Sequence, residues 1–360
     1  MPPQPPPLAP DLGIYVLPGR TSDPRPGIEQ AQAAERIGLG SIWIAERWER
    51  KEIGAICGAM AQATTRVRIA AGMTHFGTRH PIVLAGLGAT MQALSGNRFM
   101  LGIARSSPAQ WRALGLPPPT LAALADHADI LRALWNGDRV EYAGAAGSYP
   151  DLRLPDAGSY APPPLLLAAI GPKMLELAGR AFDGVVLHPF LTPEAVGRSA
   201  RTARAACAAA GRDPAAFKVH AAVVAAPDFS TEERLLAVEG RAVTYFSIPD
   251  VGRQIIAANG WDEAPMHALL SDPDLANLEF QKVDHDTFRQ RIGRAAALMP
   301  ADWARSGAAT GTAGDCARRL KAYRAAGADE IVLHGAVAGQ VEALVRAYAA
   351  MRDTPAVPED

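Results

Sequence analysis

Short apolar runs rich in β-branched residues alternate with longer amphipathic stretches along most of the chain. Eight of these runs predict β-strands, at residues 13–17, 41–45, 68–73, 98–103, 165–169, 184–187, 218–225 and 330–334. The other stretches predict helices, at residues 27–37, 52–63, 81–94, 120–135, 172–181, 193–209, 231–259, 312–326 and 337–351. This alternation is typical of βαβ units and a parallel sheet. Eight units favour an α/β fold of the (β/α)8 TIM-barrel type over a doubly wound sheet, which usually has fewer strands per domain.

Two segments interrupt the regular alternation. Residues 137–164 are rich in Gly, Pro and Tyr and predict an excursion after the fourth strand. Residues 228–309 are too long for one helix and predict an inserted helical region after the seventh strand. The proline-rich residues 1–11 and residues 353–360 predict disordered tails. We therefore expect one barrel domain over residues 12–352 with two insertions.

Composition narrows the class of protein. The chain has 360 residues, of which 49% are hydrophobic and 20% charged, as in folded globular proteins. A formal net charge of −1 argues against a nucleic-acid or anionic-membrane partner, because such proteins usually carry a basic excess. The N-terminus lacks the features of a signal peptide, and no apolar run approaches the ~18 residues of a membrane-spanning helix. These observations predict a cytoplasmic protein that acts on a small molecule.

Cysteines and histidines give no sign of a metal centre. Cys57, Cys207 and Cys316 are far apart and odd in number, which predicts buried thiols rather than a disulfide framework. The sequence contains no His-x-His, His-Glu-x-x-His or paired-carboxylate spacing, so no metal site is expected. It also contains no Gly-x-Gly-x-x-Gly or Walker loop to support NAD or ATP binding.

Residues that follow the strands are the candidates for function, because active sites of (β/α)8 barrels lie at the C-terminal ends of the strands. The loop after the fourth strand is small and polar, which lets backbone amides approach a phosphate or a ring edge. Its candidates are Ala104, Arg105, Ser106, Ser107 and Gln110. The fifth strand leads into a Gly-Pro helix start, a natural anion site. The candidates there are Ala168, Ala169, Ile170 and Gly171.

Five segments, taken in order, carry a family resemblance. They are GIYVLPGR, AERIGLGSIWIAER, TTRVRIAAGMTHFGTRHPIVLAGLGATMQALSGNRFMLGIARS, PPLLLAAIGPKMLELAGRAFDGVVL and GTAGDCARRLKAYRAAGADEIVL. Together they resemble the luciferase-like monooxygenase family of flavin- and deazaflavin-dependent barrels, over about residues 12–350. Within that family, the coenzyme F420-dependent branch is the most similar.

The resemblance implies how a cofactor would be held. It places a bulge with a non-proline cis peptide at the end of the third strand, behind the cofactor ring, and matches it to Thr74–His75. It implies that Arg105 holds a cofactor phosphate, as in the FMN branch, and that Gln110 contacts the deazaflavin tail. The helix start at Gly171 would bind the ribityl-phosphate region. The resemblance also implies a homodimer formed through helices of the first half of the barrel.

Glu46 and Arg47, after the second strand, depart from the family pattern. Deazaflavin-dependent relatives often have Asp-His there, with the histidine near the reactive ring carbon. Arginine stays protonated at any working pH, so Arg47 would act electrostatically and could not shuttle a proton. Four histidines lie at or near strand ends, namely His75, His188, His220 and His334. We expect His188 to transfer the proton, titrating near the usual histidine pKa of about 6.5.

Several functions therefore remain open at the level of sequence. The first is an oxidoreductase that transfers a hydride between coenzyme F420 and an organic substrate under the 228–309 insertion. The second is an FMN-dependent monooxygenase, which Arg105 favours, whereas Gln110 and the Ala-Ala-Ile-Gly stretch favour the deazaflavin. A non-catalytic flavin-binding barrel is the third. An isomerase or aldolase barrel would need a strand-end lysine or a Glu/His pair, and Lys51, Lys173 and Lys218 are poorly placed for that role.

Overall fold

The computed structural model describes residues 7–17, 23–46, 51–272 and 286–351. Within them the strands are β1 (Ala9–Tyr15), β2 (Leu39–Ile44), β3 (Arg68–Thr74), β4 (Phe99–Ile103), β5 (Val140–Gly144), β6 (Gly147–Leu152), β7 (Leu165–Ala169), β8 (Gly184–Leu187), β9 (Lys218–Pro227), β10 (Ala308–Gly311) and β11 (Glu330–His334). The α-helices are α1 (Arg25–Arg36), α2 (Ile53–Ala63), α3 (Pro81–Ser95), α4 (Pro108–Ala113), α5 (Leu121–Asn136), α6 (Pro172–Ala181), α7 (Pro193–Ala209), α8 (Thr231–Arg234), α9 (Gly240–Phe246), α10 (Pro249–Asn259), α11 (Ala264–Ser271), α12 (Asp286–Ala297), α13 (Ala301–Ser306), α14 (Ala313–Ala325) and α15 (Glu342–Met351).

Eight parallel strands close into a barrel. Around the barrel the order is β1, β2, β3, β4, β7, β8, β9 and β11, and β11 pairs again with β1. Every strand predicted from the sequence is a barrel strand, which confirms the TIM-barrel prediction. The strands are nearly continuous apolar runs because helices cover their outer faces while side chains fill the interior.

The first strand begins earlier than predicted. The amide of Ala9 donates to Gly38 O at 2.9 Å, and Ala9 is fully buried. Residues 9–11 therefore belong to the barrel, and the prediction that a disordered tail extends to residue 11 is wrong for them. The remainder of that tail up to residue 6, and the C-terminal tail predicted at 353–360, lie outside the described residues.

Local sequence signals fix the ends of the main helices. Pro81 occupies the first turn of α3, where its missing N–H leaves no hydrogen bond unmade, and Gly96 ends that helix in the left-handed region at φ 65°. Thr120 and Thr192 cap α5 and α7 through their hydroxyl oxygens. These signals explain why the helices predicted at 81–94, 120–135 and 193–209 agree with the observed ones to within one residue.

The excursion at 137–164 contains a β-hairpin. Strands β5 and β6 pair antiparallel outside the barrel. The hydroxyl of Tyr142 donates to Asp126 Oδ2 of α5 at 2.6 Å, which anchors the hairpin to the helix layer. The predicted insertion after the fourth barrel strand is therefore present, and it contains a largely exposed hairpin.

The second insertion is helical, as predicted, but its first helix is broken. The single helix predicted at 231–259 is wrong: α8, a π-turn at Leu235–Glu239, α9 and α10 replace it. Pro249 cannot donate a helical hydrogen bond and Ile248 before it is extended, so the chain turns there. The insertion ends in β10, which pairs with the C-terminal half of β9 and was not predicted.

Six apolar side chains from six different strands fill the middle of the barrel. They are Trp43, Ala70, Met100, Leu166, Val186 and Val332, all buried. We call this cluster the barrel plug. It separates the C-terminal end of the strands, with Tyr15 and Met73 packed against it, from the N-terminal end.

A polar network lies at the N-terminal end of the barrel. Glu330 is 2% exposed and accepts hydrogen bonds from Ser41 Oγ and from His220, whose Nδ1 is 3.0 Å from Oε2. Arg68 pairs with the same carboxylate at 3.2 Å. Burial raises the pKa of Glu330, but His220, Arg68 and Ser41 outweigh burial and lower it to about 2. The carboxylate is therefore ionised and links four strands.

The close approach at Gly13 gives a test of this network. A Cβ on Gly13 would lie 2.1 Å from Ser41 Oγ and 2.9 Å from Glu330 Oε1. Since Ser41 is held by Glu330, we expect Gly13→Ala to lower the free energy of unfolding by about 1–3 kcal/mol in urea denaturation. The control is Gly293→Ala in α12, where a Cβ would meet no atom within 4 Å and should stabilise by about 0.5–1 kcal/mol. Equal stability of Gly13→Ala and wild type would contradict the assignment of a tight network.

Candidate functional site

The C-terminal end of β3 carries a bulge. The register between β3 and β4 shifts between Ala71 and Thr74, and the peptide bond from Gly72 to Met73 is cis. The resemblance matched this bond to Thr74–His75, so its position is corrected by two residues. Gly72 is needed for the close approach of the backbone to Trp43, because a Cβ there would lie 2.5 Å from the indole ring.

Glu46, after β2, is held by the last residue of β3 and by residues that follow it. Thr74 Oγ1 donates to Glu46 Oε2 at 2.6 Å, and Arg79 Nη2 lies 2.5 Å from Oε1. His75 Nδ1 lies 3.5 Å from Oε2. Arg79 also donates to Thr74 Oγ1 at 2.9 Å and to Glu52 at 2.7 Å. The predicted residues Glu46, Thr74 and His75 thus belong to one polar cluster at the barrel mouth.

The charge state of Glu46 follows from this cluster. Burial raises the pKa of the carboxyl group, but the hydrogen bonds from His75, Arg79 and Thr74 outweigh burial and lower it to about 2. Glu46 is therefore an anion at any working pH. It can position cationic or hydrogen-bonding groups, but it cannot serve as a proton donor near neutral pH.

His75 connects this cluster to the loop after β4. Its Nε2 is 2.6 Å from Ser106 Oγ, and its ring meets Trp111 edge-on at 5.8 Å. Trp111 in turn donates through Nε1 to Arg105 O at 2.6 Å. Ser106 has φ 56°, an unusual value for a residue with a side chain. The loop is therefore held in one conformation beside the bulge.

The remaining residues of the β4 loop have local partners. Arg105 is exposed and donates from Nε to Pro119 O at 3.0 Å. Ser107 and Gln110 form a capping box at the start of α4: Ser107 Oγ accepts from the Gln110 amide, and Gln110 Oε1 accepts from the Ser107 amide. The predicted contacts of Arg105 and Gln110 with a cofactor stay predictions.

The end of β7 leads directly into α6. Gly171 caps the helix without a side-chain hydrogen bond, and Pro172 occupies its first turn. The residues before it, Ala168, Ala169 and Ile170, are small or apolar, so they leave the first-turn amides of a ten-residue helix accessible at the barrel mouth. The arrangement has the donor chemistry of an anion site, as predicted from the Gly-Pro start.

His188, after β8, lies in an aromatic group formed with the second insertion. Its ring meets Tyr245 of α9 edge-on at 4.5 Å, and Tyr245 Oη is 3.4 Å from His334 Nε2. The His334 ring lies 4.9 Å from that of Tyr15. The insertion thus covers this side of the barrel mouth, where the sequence analysis placed the substrate.

The proton state of His188 differs from the one expected from sequence. Burial lowers its pKa to about 4, against the opposing effect of a hydrogen bond to Pro189 O. Its Nδ1 is 3.0 Å from that carbonyl oxygen, so Nδ1 carries the hydrogen and Nε2 keeps its lone pair. His188 is therefore suited to accept a proton at neutral pH, and the expected titration near 6.5 is corrected downwards.

Two residues of the mouth were not predicted. Arg79, the main partner of Glu46, lies in the third of the five segments that carry the family resemblance, two residues before the proline that opens α3. Tyr245 lies in the insertion, where no motif was recognised. Arg47 lies outside the described residues, so its predicted place near a reactive ring stays a prediction. His220 and His334 lie at opposite ends of the barrel.

Two further features bear on the site. In the described ranges, no group of three or more His, Cys, Asp or Glu side chains could hold a metal ion. No helix in those ranges is both long and apolar enough to span a membrane.

Comparison with known proteins gives the family of the chain. Residues 12–330 match the family described as luciferase-like monooxygenase. A 5,10-methylenetetrahydromethanopterin reductase of Methanolobus tindarius is 28% identical over 215 residues, covering 56% of this chain and 61% of that protein. An F420-dependent glucose-6-phosphate dehydrogenase of Amycolatopsis mediterranei (strain U-32) is 33% identical over 178 residues, covering 45% of this chain and 53% of that protein. The matches span little more than half the length of these relatives.

Solved structures share the whole fold. The coenzyme F420-dependent tetrahydromethanopterin reductase of Methanopyrus kandleri superposes with a TM-score of 0.73 at 19% identity, covering 93% of this chain and 97% of its own. An F420-dependent secondary alcohol dehydrogenase gives 0.73 at 17% identity, with 95% and 99% coverage. An EDTA monooxygenase of Chelativorans sp. BNC1 gives 0.65 at 16% identity, with 96% and 94% coverage. With the family match extending over residues 12–330 and the barrel shared from end to end, the chain belongs to the luciferase-like monooxygenase family.

Proposed function

We propose that the protein is an oxidoreductase that transfers a hydride between coenzyme F420 and a small organic substrate at the C-terminal end of the barrel. The observation that carries the proposal is the similarity, at 28% and 33% identity, to a methylenetetrahydromethanopterin reductase and an F420-dependent dehydrogenase. Barrels that use F420 also superpose with the higher TM-score, 0.73 against 0.65 for the EDTA monooxygenase.

The residues at the barrel mouth fit such a cofactor. The bulge from Gly72 to His75 would support the ring, with Glu46 and Arg79 fixing Thr74 and His75 in place. The loop of residues 104–107 would border the ring edge. The first-turn amides of α6 would hold the phosphate, since no acidic side chain precedes them between Ala168 and Gly171. When bound, coenzyme F420 supplies the carbon that accepts or gives up the hydride.

His188 is the residue suited to move the proton. For an alcohol substrate, His188 Nε2 would accept the hydroxyl proton while the bound cofactor would take the hydride, because the His188 ring, with a pKa of about 4, is neutral at pH 7. In the reverse direction the proton returns from the same atom. Tyr245, against the His188 ring, would orient the substrate from the insertion. Arg47 would stabilise negative charge that develops near the cofactor, because it cannot release a proton.

A second candidate is an FMN-dependent monooxygenase. The superposition with the EDTA monooxygenase, covering 96% of this chain, favours it, as does the exposed Arg105 beside the β4 loop. The two candidates differ in the cofactor that binds.

Titration of the purified protein with coenzyme F420 and with FMN separates these candidates. The change in cofactor absorbance measures binding, and we expect F420 to bind more tightly than FMN. If Arg105 holds the phosphate, Arg105→Ala should weaken binding by about 10- to 150-fold, the worth of a charge-assisted hydrogen bond. Arg112→Ala, which removes an exposed arginine from α4, is the matched control. Tighter binding of FMN than of F420 would favour the monooxygenase instead.

The pH profile of alcohol oxidation tests His188. Above its pKa of about 4 the ring is neutral and can accept a proton, so this group should cause no change in kcat between about pH 5 and 8 and a fall as pH drops through 4. His188→Gln should lower kcat by about 100- to 10,000-fold, and the kcat of this variant should no longer decrease as the pH drops through about 4. His267→Gln, an exposed histidine of α11, should match wild type. A His188→Gln enzyme with the wild-type rate and profile would rule out this role.

We further propose that the protein forms a homodimer through the outer faces of α2 and α3. These helices lie side by side, with Gln62 Nε2 donating to Leu94 O at 3.1 Å. Val83 is 57% and Leu94 46% exposed. A Cβ on Gly58 or Gly86 would meet no atom within 4 Å, so a second copy can approach closely. An exposed apolar face of this kind suits an isologous contact.

Light scattering at micromolar concentration tests this contact. We expect wild type to have the mass of a dimer and Leu94→Glu to shift it towards a monomer, because a charge would be buried in the contact. Leu116→Glu, a 37% exposed leucine outside α2 and α3, is the control and should stay dimeric. A monomeric wild type, or a Leu94→Glu variant that stays dimeric, would show that this surface is not the interface.

A further inference from the structure

A cavity opens at the N-terminal end of the barrel, opposite the proposed active site. Its volume is about 600 Å³, in the range of small-molecule sites. A neighbouring cavity of about 550 Å³ lies beside the start of β1. Arg68, Lys218 and His220 line both cavities, so they stand at the wall between them. We call the first of these, which is bordered by Met100 and Leu166 of the barrel plug, the lower cavity.

The lower cavity carries an excess of positive charge. Four basic side chains and one acidic side chain line it: Arg68, Arg98, Arg132, Lys218 and Asp183. Arg68 is paired with Glu330 at 3.2 Å, and Arg132 with Asp183 at 2.9 Å. Arg98 and Lys218 provide the excess.

Arg98 is a half-buried cation whose direct hydrogen-bond partners are neutral groups. Its guanidinium donates to the main-chain carbonyls of Ser95, Val67, Ala61 and Thr64 and to the Thr64 hydroxyl, at 2.6–3.2 Å. Carbonyl oxygens orient the guanidinium but do not cancel its charge. The carboxylate of Glu35 opposes part of this charge, and the remainder favours an anion in the cavity.

Lys218 and His220 supply atoms for direct contact. Lys218 Nζ donates to Ala215 O at 3.1 Å, which leaves two of its three hydrogens for a ligand. His220 is 3% exposed, and its Nδ1 is directed to Glu330 Oε2 at 3.0 Å. Since Nδ1 donates to the ionised Glu330, the Nε2 of a neutral ring keeps its lone pair, so it can accept a hydrogen bond from a ligand in the cavity but cannot donate one to an anion. The ionised Glu330 fixes this orientation from behind.

Apart from Asn97 and Asn136, the rest of the lower cavity is apolar. Phe99, Met100, Trp135 and Leu166 contribute to its wall, together with the prolines of residues 162–164. An inorganic ion would leave most of this surface without a partner. The wall suits a ligand that joins a charged group to a hydrocarbon or aromatic group.

We propose that the lower cavity is a second binding site, for a small organic anion whose carboxylate or phosphate contacts Lys218 and whose apolar part lies against Trp135 and residues 162–164. This site is separate from the proposed cofactor site and does not depend on it, because the barrel plug lies between the two ends.

Isothermal titration of the full-length protein at 0.15 M salt tests the proposal. The probes are phenyl phosphate and benzoate. Inorganic phosphate and phenol, the charged and the aromatic part of phenyl phosphate, are titrated separately as controls. We expect one of the two organic anions to bind at least about 10-fold more tightly than either half, since charge and apolar surface both contribute. The tighter of the two identifies the charged group that the site takes. Organic anions that bind no better than phenol would overturn the proposal.

Variants locate the binding. Lys218→Met removes the exposed cation, and Ala216→Glu adds an opposing charge at an exposed position of the same wall. Each should weaken binding of the organic anion by about 10-fold or more. Arg105→Ala, at the other end of the barrel, and Arg153→Gln, an exposed arginine outside the cavity lining, should leave it unchanged. Loss of binding in Arg105→Ala, or a loss in Arg153→Gln as large as that in Lys218→Met, would show that the anion binds elsewhere. Either result would overturn the proposal.

Discussion

The buried carboxylate of Glu330 is the interaction on which the N-terminal end of the barrel depends. It is ionised and joins β11 to β2, β3 and β9 through Ser41, Arg68 and His220. An ionised group in this position is stable only while its partners remain, and loss of one partner typically costs about 3–5 kcal/mol. Glu46 has the corresponding role at the other end, where it joins β2 to the chain that follows β3. Each end of the barrel is thus organised around one fixed anion.

The sequence was sufficient to predict the barrel, because each strand is an apolar run buried on both faces and most helices begin at a proline or a capping hydroxyl. It was insufficient where tertiary contacts override local preference. Residues 9–11 looked like part of a proline-rich tail, yet the Ala9 amide pairs with Gly38. The stretch 231–259 has the sequence pattern of one helix, but Pro249 redirects the chain within it. The strand Ala308–Gly311 is too short and too small in its side chains to show a strand pattern before it pairs with β9.

The positions of the candidate site residues were easier to predict from the sequence than their protonation states and contacts. Glu46, Thr74, His75 and Ser106 follow three neighbouring strands, so the rule that sites lie at strand ends brings them together. The pKa of His188 could not be read from its neighbours in sequence, because burial by the barrel and the insertion sets it. Tyr245 could not be found for a similar reason, since its role comes from the fold of an insertion without a recognisable motif.

The barrel plug has a consequence for how the two ends of the molecule communicate. Between Arg68 and Thr74, β3 extends for about 20 Å, and six buried side chains fill the barrel between these levels. Apart from the indole N–H of Trp43, which donates to Ser41 Oγ, these six side chains carry no hydrogen-bond donor. A molecule bound at one end therefore cannot touch a molecule bound at the other. The plug divides the inside of this barrel into two compartments, and each compartment meets its own ligand from its own side of the molecule.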